Sequence, residues 1–187
     1  MSSHVHNHRY DNRQGPQRIV CITEETTEWL YLLGQENRSA GISGYTVRPA
    51  RARAGKPRVS AFLSAKIDKI LEHKPDCVFG FSDLQADIAA ELIRKGVQVT
   101  LFNQRNVAEI FSLITQVAAM VGQSDKGQAL IAAMCQQLQV IDEAARALPR
   151  RLGVFFEEWD EPTSARFAGC LNSWGLPVGA TASPSWR

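Results

Sequence analysis

The chain has 187 residues, 44% of them apolar, and a formal net charge of +2. That length suits one domain or one and a fraction, and the apolar share is enough for a buried core. So small a charge excludes a general attraction to nucleic acid or acidic membranes. No run reaches the roughly 18 apolar residues of a membrane-spanning helix.

The first 17 residues, MSSHVHNHRYDNRQGPQ, are polar and lack the apolar stretch of a secretory signal. His4, His6 and His8 alternate there and could catch a metal ion adventitiously. With no apolar pattern to fix their geometry, residues 1–17 read as a disordered tail. Residues 18–22, RIVCI, then form a short β-branched run that predicts a buried strand. A polar turn over 23–27 follows, and Trp29, Leu30, Leu32 and Leu33 recur at helical spacing up to Gly34.

Residues 40–43 predict a second strand, and a Pro/Arg-rich loop runs from 45 to 58. Its basic cluster is Arg48, Arg51, Arg53, Lys56 and Arg58. A solvated loop is the plainer account of that cluster, and an anionic partner the sharper one. Ser64 is placed to cap the next helix, with Ile67, Ile70 and Leu71 as its buried stripe and Pro75 as its stop. Residues 77–80 predict a strand and 83–95 a helix with Ile88, Ala89, Leu92 and Ile93 inward. Residues 97–102 predict a strand, and 107–121 a helix with Ile110, Leu113, Ile114 and Val117 on one face.

Alternating strands and helices predict an α/β fold with a mostly parallel sheet flanked by helices over 18–122. Residues 124–148 predict one helix of roughly 25 residues, about 37 Å long, ended by Pro149. A fresh strand at 151–156 makes that helix (residues 123–149) a rigid spacer leading into a second α/β lobe over 150–187. Cys21 and Cys77 lie in strand-like runs, where cysteine acts as a small hydrophobe. With Cys135 and Cys170 they make no metal-ligand or disulfide spacing.

Ligands of an open parallel sheet bind at the carboxyl ends of its strands. Those ends are residues 24–27, 43–45, 80–83 and 102–105, with 157–159 as a fifth. They carry aromatic faces and hydrogen-bonding side chains, as a binding cleft requires. They lack the parts of a catalyst: no GxSxG, GxGxxG, P-loop or HExxH occurs. His73 lies near a helix end and reads as a solvated residue. Glu24, Glu25 and Glu28 read as favouring the N-terminus of a helix dipole rather than as acid/base groups. Tyr45, Phe81 and Trp159 sit in polar turns, which favours a cleft-facing role over a core one. No catalytic residue, metal site or cofactor is expected.

The stretches RIVCITEETTEWLYLLG, GISGYTVRP, KPRVSAFLSAKIDKILEHKPDCVFGFSDLQADIA, FNQR and VFFEEWDEP carry a resemblance. Over about residues 16–162 the chain resembles the iron-siderophore and vitamin B12 substrate-binding proteins of ABC transporters, especially the cobalamin-binding branch. The resemblance implies two α/β lobes joined by one long helix, with ligand held between them. It implies ligand contacts around Thr26 and Thr27 and from Tyr45, Phe81 and Trp159. It also implies an acidic residue docking each lobe to permease arginines, with Asp87 the candidate here. Partners would be an ABC permease and its ATPase subunits, with the binding protein a monomer. The transported ligand would be cobalamin, a related corrinoid or a ferric chelate. Family members are exported to the periplasm, whereas the chain as written shows no signal and reads as cytoplasmic. A cytosolic corrinoid or metal-chelate accessory protein, or a nonfunctional truncated copy, are the alternatives.

The sequence loses its α/β pattern after Pro162. Permissible codons for residues 163–175, read two nucleotides later, allow ISAIRWVSELVG, and the continuation allows AAGGRD. Those strings resemble the family's continuation, so the tail from 163 is expected to be out of frame and the second lobe incomplete.

Overall fold

The computed structural model describes residues 15–61, 64–149, 159–160 and 163–164. Within them the short apolar runs become strands, because each is too short for a helix and too apolar to leave in water. β1 (Ile19–Cys21), β2 (Ser39–Ser43), β3 (Arg58–Ser60), β4 (Cys77–Phe81) and β5 (Gln98–Phe102) form one sheet. Their order is β3-β2-β1-β4-β5, and every pairing is parallel. The order reverses at β1, which has β2 on one side and β4 on the other.

Strand side chains alternate between faces, so each run supplies two cores. Ile19, Cys21, Cys77 and Phe79 pack on one face with Leu30 and Leu33 of the first helical segment and with Leu113, Ile114 and Val117. Val20, Ile22 and Val78 pack on the other with Ile67, Ile70, Ile88 and Leu92. The helices that cover these faces are α1 (Glu24–Leu32), α2 (Ala50–Gly55), α3 (Ile67–Glu72), α4 (Ala86–Arg94) and α5 (Val107–Met120). Each fully buried aliphatic side chain contributes about 1.5–3 kcal/mol. A parallel sheet needs helices on both faces, and this one has them.

Several local expectations are corrected. The stretch 45–58 holds α2 and the edge strand β3 as well as loop. Both escaped notice because α2 buries only Ala52 and β3 only Val59. Ser64 does not cap α3, whose N-cap is Lys66 with no side-chain bond. The helix expected from 83 opens with a 3-10 turn, Asp83–Gln85, before α4. Leu32 and Ile93 are 50% and 59% exposed. Both sit at the edge of their helix's apolar arc, where spacing alone assigns them inward.

α5 starts cleanly because Asn106 Oδ1 accepts the Glu109 N–H at 2.9 Å. α6 (Ser124–Arg146) spans 23 residues, about 34 Å. Gly127 lets it cross α5 closely, since a Cβ there would lie 2.5 Å from that of Ala118. Leu130, Ile131 and Met134 then join the α5 face of the core. Beyond them Leu138, Val140 and Ile141 are exposed, so half of the long helix stands clear of the lobe.

Past the helix, β6 (Trp159–Asp160) and β7 (Thr163–Ser164) form an antiparallel pair. This is the described part of the incomplete second domain. The tail before residue 15, the strand expected at 151–156 and most of the stretch from 163 lie outside the described residues.

Candidate ligand-binding edge

Parallel strands bring all their carboxyl ends to one edge of the sheet. Across it, in order, lie Tyr45 after β2, the α1 entry after β1, Phe81 at the end of β4, and 103–105 after β5. The ends of β2 and β4, which carry Tyr45 and Phe81, are two strands apart.

The β1–α1 turn is closed on itself. The hydroxyls of Thr23 and Thr26 lie 3.0 Å apart, and that of Thr27 donates to the Thr23 carbonyl at 3.2 Å. Thr26 and Thr27 are both fully buried, which places them beneath this edge. On the same turn Glu24 is exposed and Glu25 half-buried. Burial pushes the Glu25 carboxyl above its ordinary value, and neighbouring Glu24 adds to the rise. Gln104 Nε2 approaches Glu25 Oε1 at 3.4 Å, while Gln104 Oε1 is buried with no partner among the described residues.

Tyr45 is 60% exposed, on a turn whose N–H donates to Ser43 Oγ at 3.2 Å. Phe81 is half-buried. Its N–H donates to Gln85 Oε1 at 2.9 Å, and Gln85 Nε2 donates to the Ile22 carbonyl at 3.3 Å. Gln85 is fully buried and so ties the ends of β1 and β4 together where the strand order reverses. Ser82 follows at φ 55°, ψ 178°, a conformation costing of order 1–3 kcal/mol in a non-glycine residue. It is held because its N–H donates to the Phe102 carbonyl at 2.6 Å and its hydroxyl accepts from Leu84. The Arg105 guanidinium lies 5.2 Å from the centre of the Phe81 ring.

Asp87 is exposed in the first turn of α4, beside this edge in sequence and open to solvent. Trp159 is placed only through its backbone pairing with Ser164. The structure thus brings Tyr45 and Phe81 to one surface, sets Thr26 and Thr27 below it, and does not describe the Trp159 side chain. Gln85, Gln104 and Arg105 went unselected by sequence reasoning. The segment 102–105 was recognised as a strand end, and its polarity was the available signal.

The basic cluster is largely engaged within the lobe. Arg48 pairs with Glu28 at 3.2 Å, and Arg51 with Glu36 at 3.7 Å while lying over Tyr31. Arg53 and Lys56 donate to the carbonyls of Thr46 and Ser39. Among the described residues no cluster of His, Cys, Asp or Glu could hold a metal ion, and no helix is long and apolar enough to cross a membrane. Burial pushes the Cys21 thiol up to about 12 and the Cys77 thiol to about 11.

A family model described as periplasmic binding protein matches residues 19–178. The chain belongs to that family. The matched range runs past Pro162, into the stretch whose reading frame the sequence calls into question. A search of curated protein sequences finds no match. Among solved structures the chain is similar to the periplasmic vitamin B12 binding protein BtuF of Vibrio cholerae, at 21% identity and TM-score 0.68, covering 79% of this chain and 58% of that one. It is similar to a periplasmic haem binding protein from Pseudomonas aeruginosa, at 21% identity and TM-score 0.66, covering 71% and 48%. It is also similar to the petrobactin-binding protein YclQ from Bacillus subtilis, at 15% identity and TM-score 0.65, covering 73% and 50%. At these identities the likeness is one of fold, and the chain spans about half the length of these proteins.

Proposed function

We propose that the chain is the ligand-holding lobe and spacer helix of an ABC importer's substrate-binding protein, acting by binding and delivery without bond chemistry. What supports this is membership of the periplasmic binding protein family, together with aromatic residues at the carboxyl ends of two parallel strands, Tyr45 just after β2 and Phe81 at the end of β4. Aromatic rings at strand ends suit a flat metal macrocycle or a ferric chelate, whose apolar area would be buried against them. The similar structures are named for vitamin B12, haem and petrobactin, which are ligands of this kind. Cobalamin is the finer reading, supported by the resemblance of the strand-end motifs to the cobalamin-binding branch.

In this reading Tyr45, Phe81 and Trp159 contact ligand, and Thr26 and Thr27 shape the turn beneath it. Asp87 docks to a permease whose ATPase subunits supply the energy, and the site of action is the periplasm. α6 serves as the spacer, its exposed second half leading to the second lobe. The test is isothermal titration of the full chain with cyanocobalamin, ferric haem and ferric petrobactin. Saturable binding of one of them, weakened by Tyr45→Ala, supports the proposal. Failure of all three to bind overturns it.

A further inference from the structure

The surface just described contains a cation whose position is set by four separate contacts. Arg105 lies 5.2 Å from the Phe81 ring centre. Its Nε donates to Asn103 Oδ1 at 3.1 Å. Its Nη2 faces Asp83 Oδ1 at 3.5 Å. Its own backbone N–H donates to Glu109 Oε2 at 2.5 Å, which fixes the loop that carries it. We infer that Arg105 is a ligand-binding residue that takes an ionised oxygen group of the ligand, a carboxylate or a phosphodiester. This rests on the functional reading above and narrows the ligand class.

The argument is one of unequal partners. A guanidinium offers five N–H donors in a planar fork matched to a carboxylate or phosphate. Asn103 takes one of them well. Asp83 takes another poorly, because charge-assisted bonds of this type close to about 2.7–2.9 Å. The Asp83 side chain is also 85% exposed, so the pair is solvated and loosely held. Asp83 therefore occupies a position that a better-placed anion can share or take over. The Phe81 ring meanwhile holds the guanidinium over the surface on which a flat ligand would rest. Cation–π contact keeps ring and charge together. An arginine serving only as a surface solubiliser has no need of an aromatic seat, an amide acceptor and an anchored loop.

Two matched ligand pairs test the inference and separate its two chemical sources. Ferric haem and its dimethyl ester differ in ionised carboxylates, and cyanocobalamin and dicyanocobinamide differ in the nucleotide loop that carries the phosphodiester, so it is the change of each ratio in the Arg105 variants that isolates the charge. Each is titrated calorimetrically against the full chain and against Arg105→Gln, Arg105→Lys and Asp83→Asn. The full chain should prefer the charged member of one pair, and Arg105→Gln should lower its affinity about tenfold, the scale of a hydrogen bond to a charged group. The uncharged member should bind Arg105→Gln unchanged, which also reports that the variant is folded. Arg105→Lys should fall between, and Asp83→Asn should bind the charged member more tightly. An unaltered charged-to-uncharged ratio in Arg105→Gln, in a chain that does bind, overturns this inference and leaves the functional reading in place. Binding of none of the four ligands by the unaltered chain overturns this inference, and the functional reading falls with it only if ferric petrobactin also fails to bind.

Discussion

Replacing Gln85 by Leu tests whether the strand-end surface is held by one buried amide. The side chain is fully buried, accepts the Phe81 N–H at 2.9 Å and donates to the Ile22 carbonyl at 3.3 Å. Leu fills nearly the same space and removes both bonds. Leaving a buried donor or acceptor unpaired costs about 1–3 kcal/mol each, and the more apolar side chain returns part of that. A net loss of about 2–4 kcal/mol follows, a large share of the 5–15 kcal/mol usual for a domain. Urea unfolding followed by far-UV circular dichroism measures it. Gln85→Glu sharpens the test. Its carboxylate keeps the acceptor for Phe81 but has nothing to donate to Ile22, and burial disfavours its charged form. Protonation restores the donor, and the native state then binds the extra proton. Its deficit should therefore shrink as pH falls and grow as pH rises. If Gln85→Leu costs less than about 0.5 kcal/mol, the amide is not what joins β1 to β4 at this edge.

Gly80→Ala should destabilise the lobe by about 1–3 kcal/mol in the same assay, as overpacking does. Its Cβ would lie 2.7 Å from Gln85 Oε1 and 2.8 Å from Leu101 Cδ2. Glu25→Gln should raise the melting temperature at neutral pH. Because burial lifts the native carboxyl above its ordinary 4.5, the native state holds a proton that the unfolded state has lost, so stability falls as pH rises through that window. The gain should fade in melts taken near pH 4.5 and below, and a gain independent of pH would contradict the assignment. In a Cys170→Ser chain at pH 8, a chromogenic disulfide reagent should modify exposed Cys135 quickly. Cys21 and Cys77, buried and with thiols pushed up to about 12 and 11, should react only after denaturant is added.

The centre of the sheet was legible because β1, β2 and β4 are buried on both faces. Such strands read as continuous β-branched runs, and parallel connection follows from the helical periodicity between them. α2 and β3 were not legible, since each buries a single side chain and leaves no period to detect. α6 was legible along its whole length, expected over 124–148 and found over Ser124–Arg146. Its reading as a spacer fits a second half that stands clear of the lobe, but where the packed half ends was not legible, because the spacing that puts Leu130 and Ile131 on the core also carries Leu138 and Ile141 beyond it.

The site divides along the same line. Aromatic residues in polar turns announce themselves, so Tyr45 and Phe81 stood out, and the structure sets each at the carboxyl end of a parallel strand. Residues whose meaning lies in pairing across the fold do not. Gln85 reaches a carbonyl 63 residues away, and Gln104 meets Glu25 across 79. Nothing in the spacing of either glutamine distinguishes it from a solvated one. Arg105 is the intermediate case: its strand end was visible, but its seat on Phe81 depends on β4 and β5 lying side by side. Polar residues at the carboxyl ends of neighbouring parallel strands thus deserve to be read as one set once strand order is known. Here that order places an arginine, an aromatic ring and a buried amide at the ends of neighbouring strands.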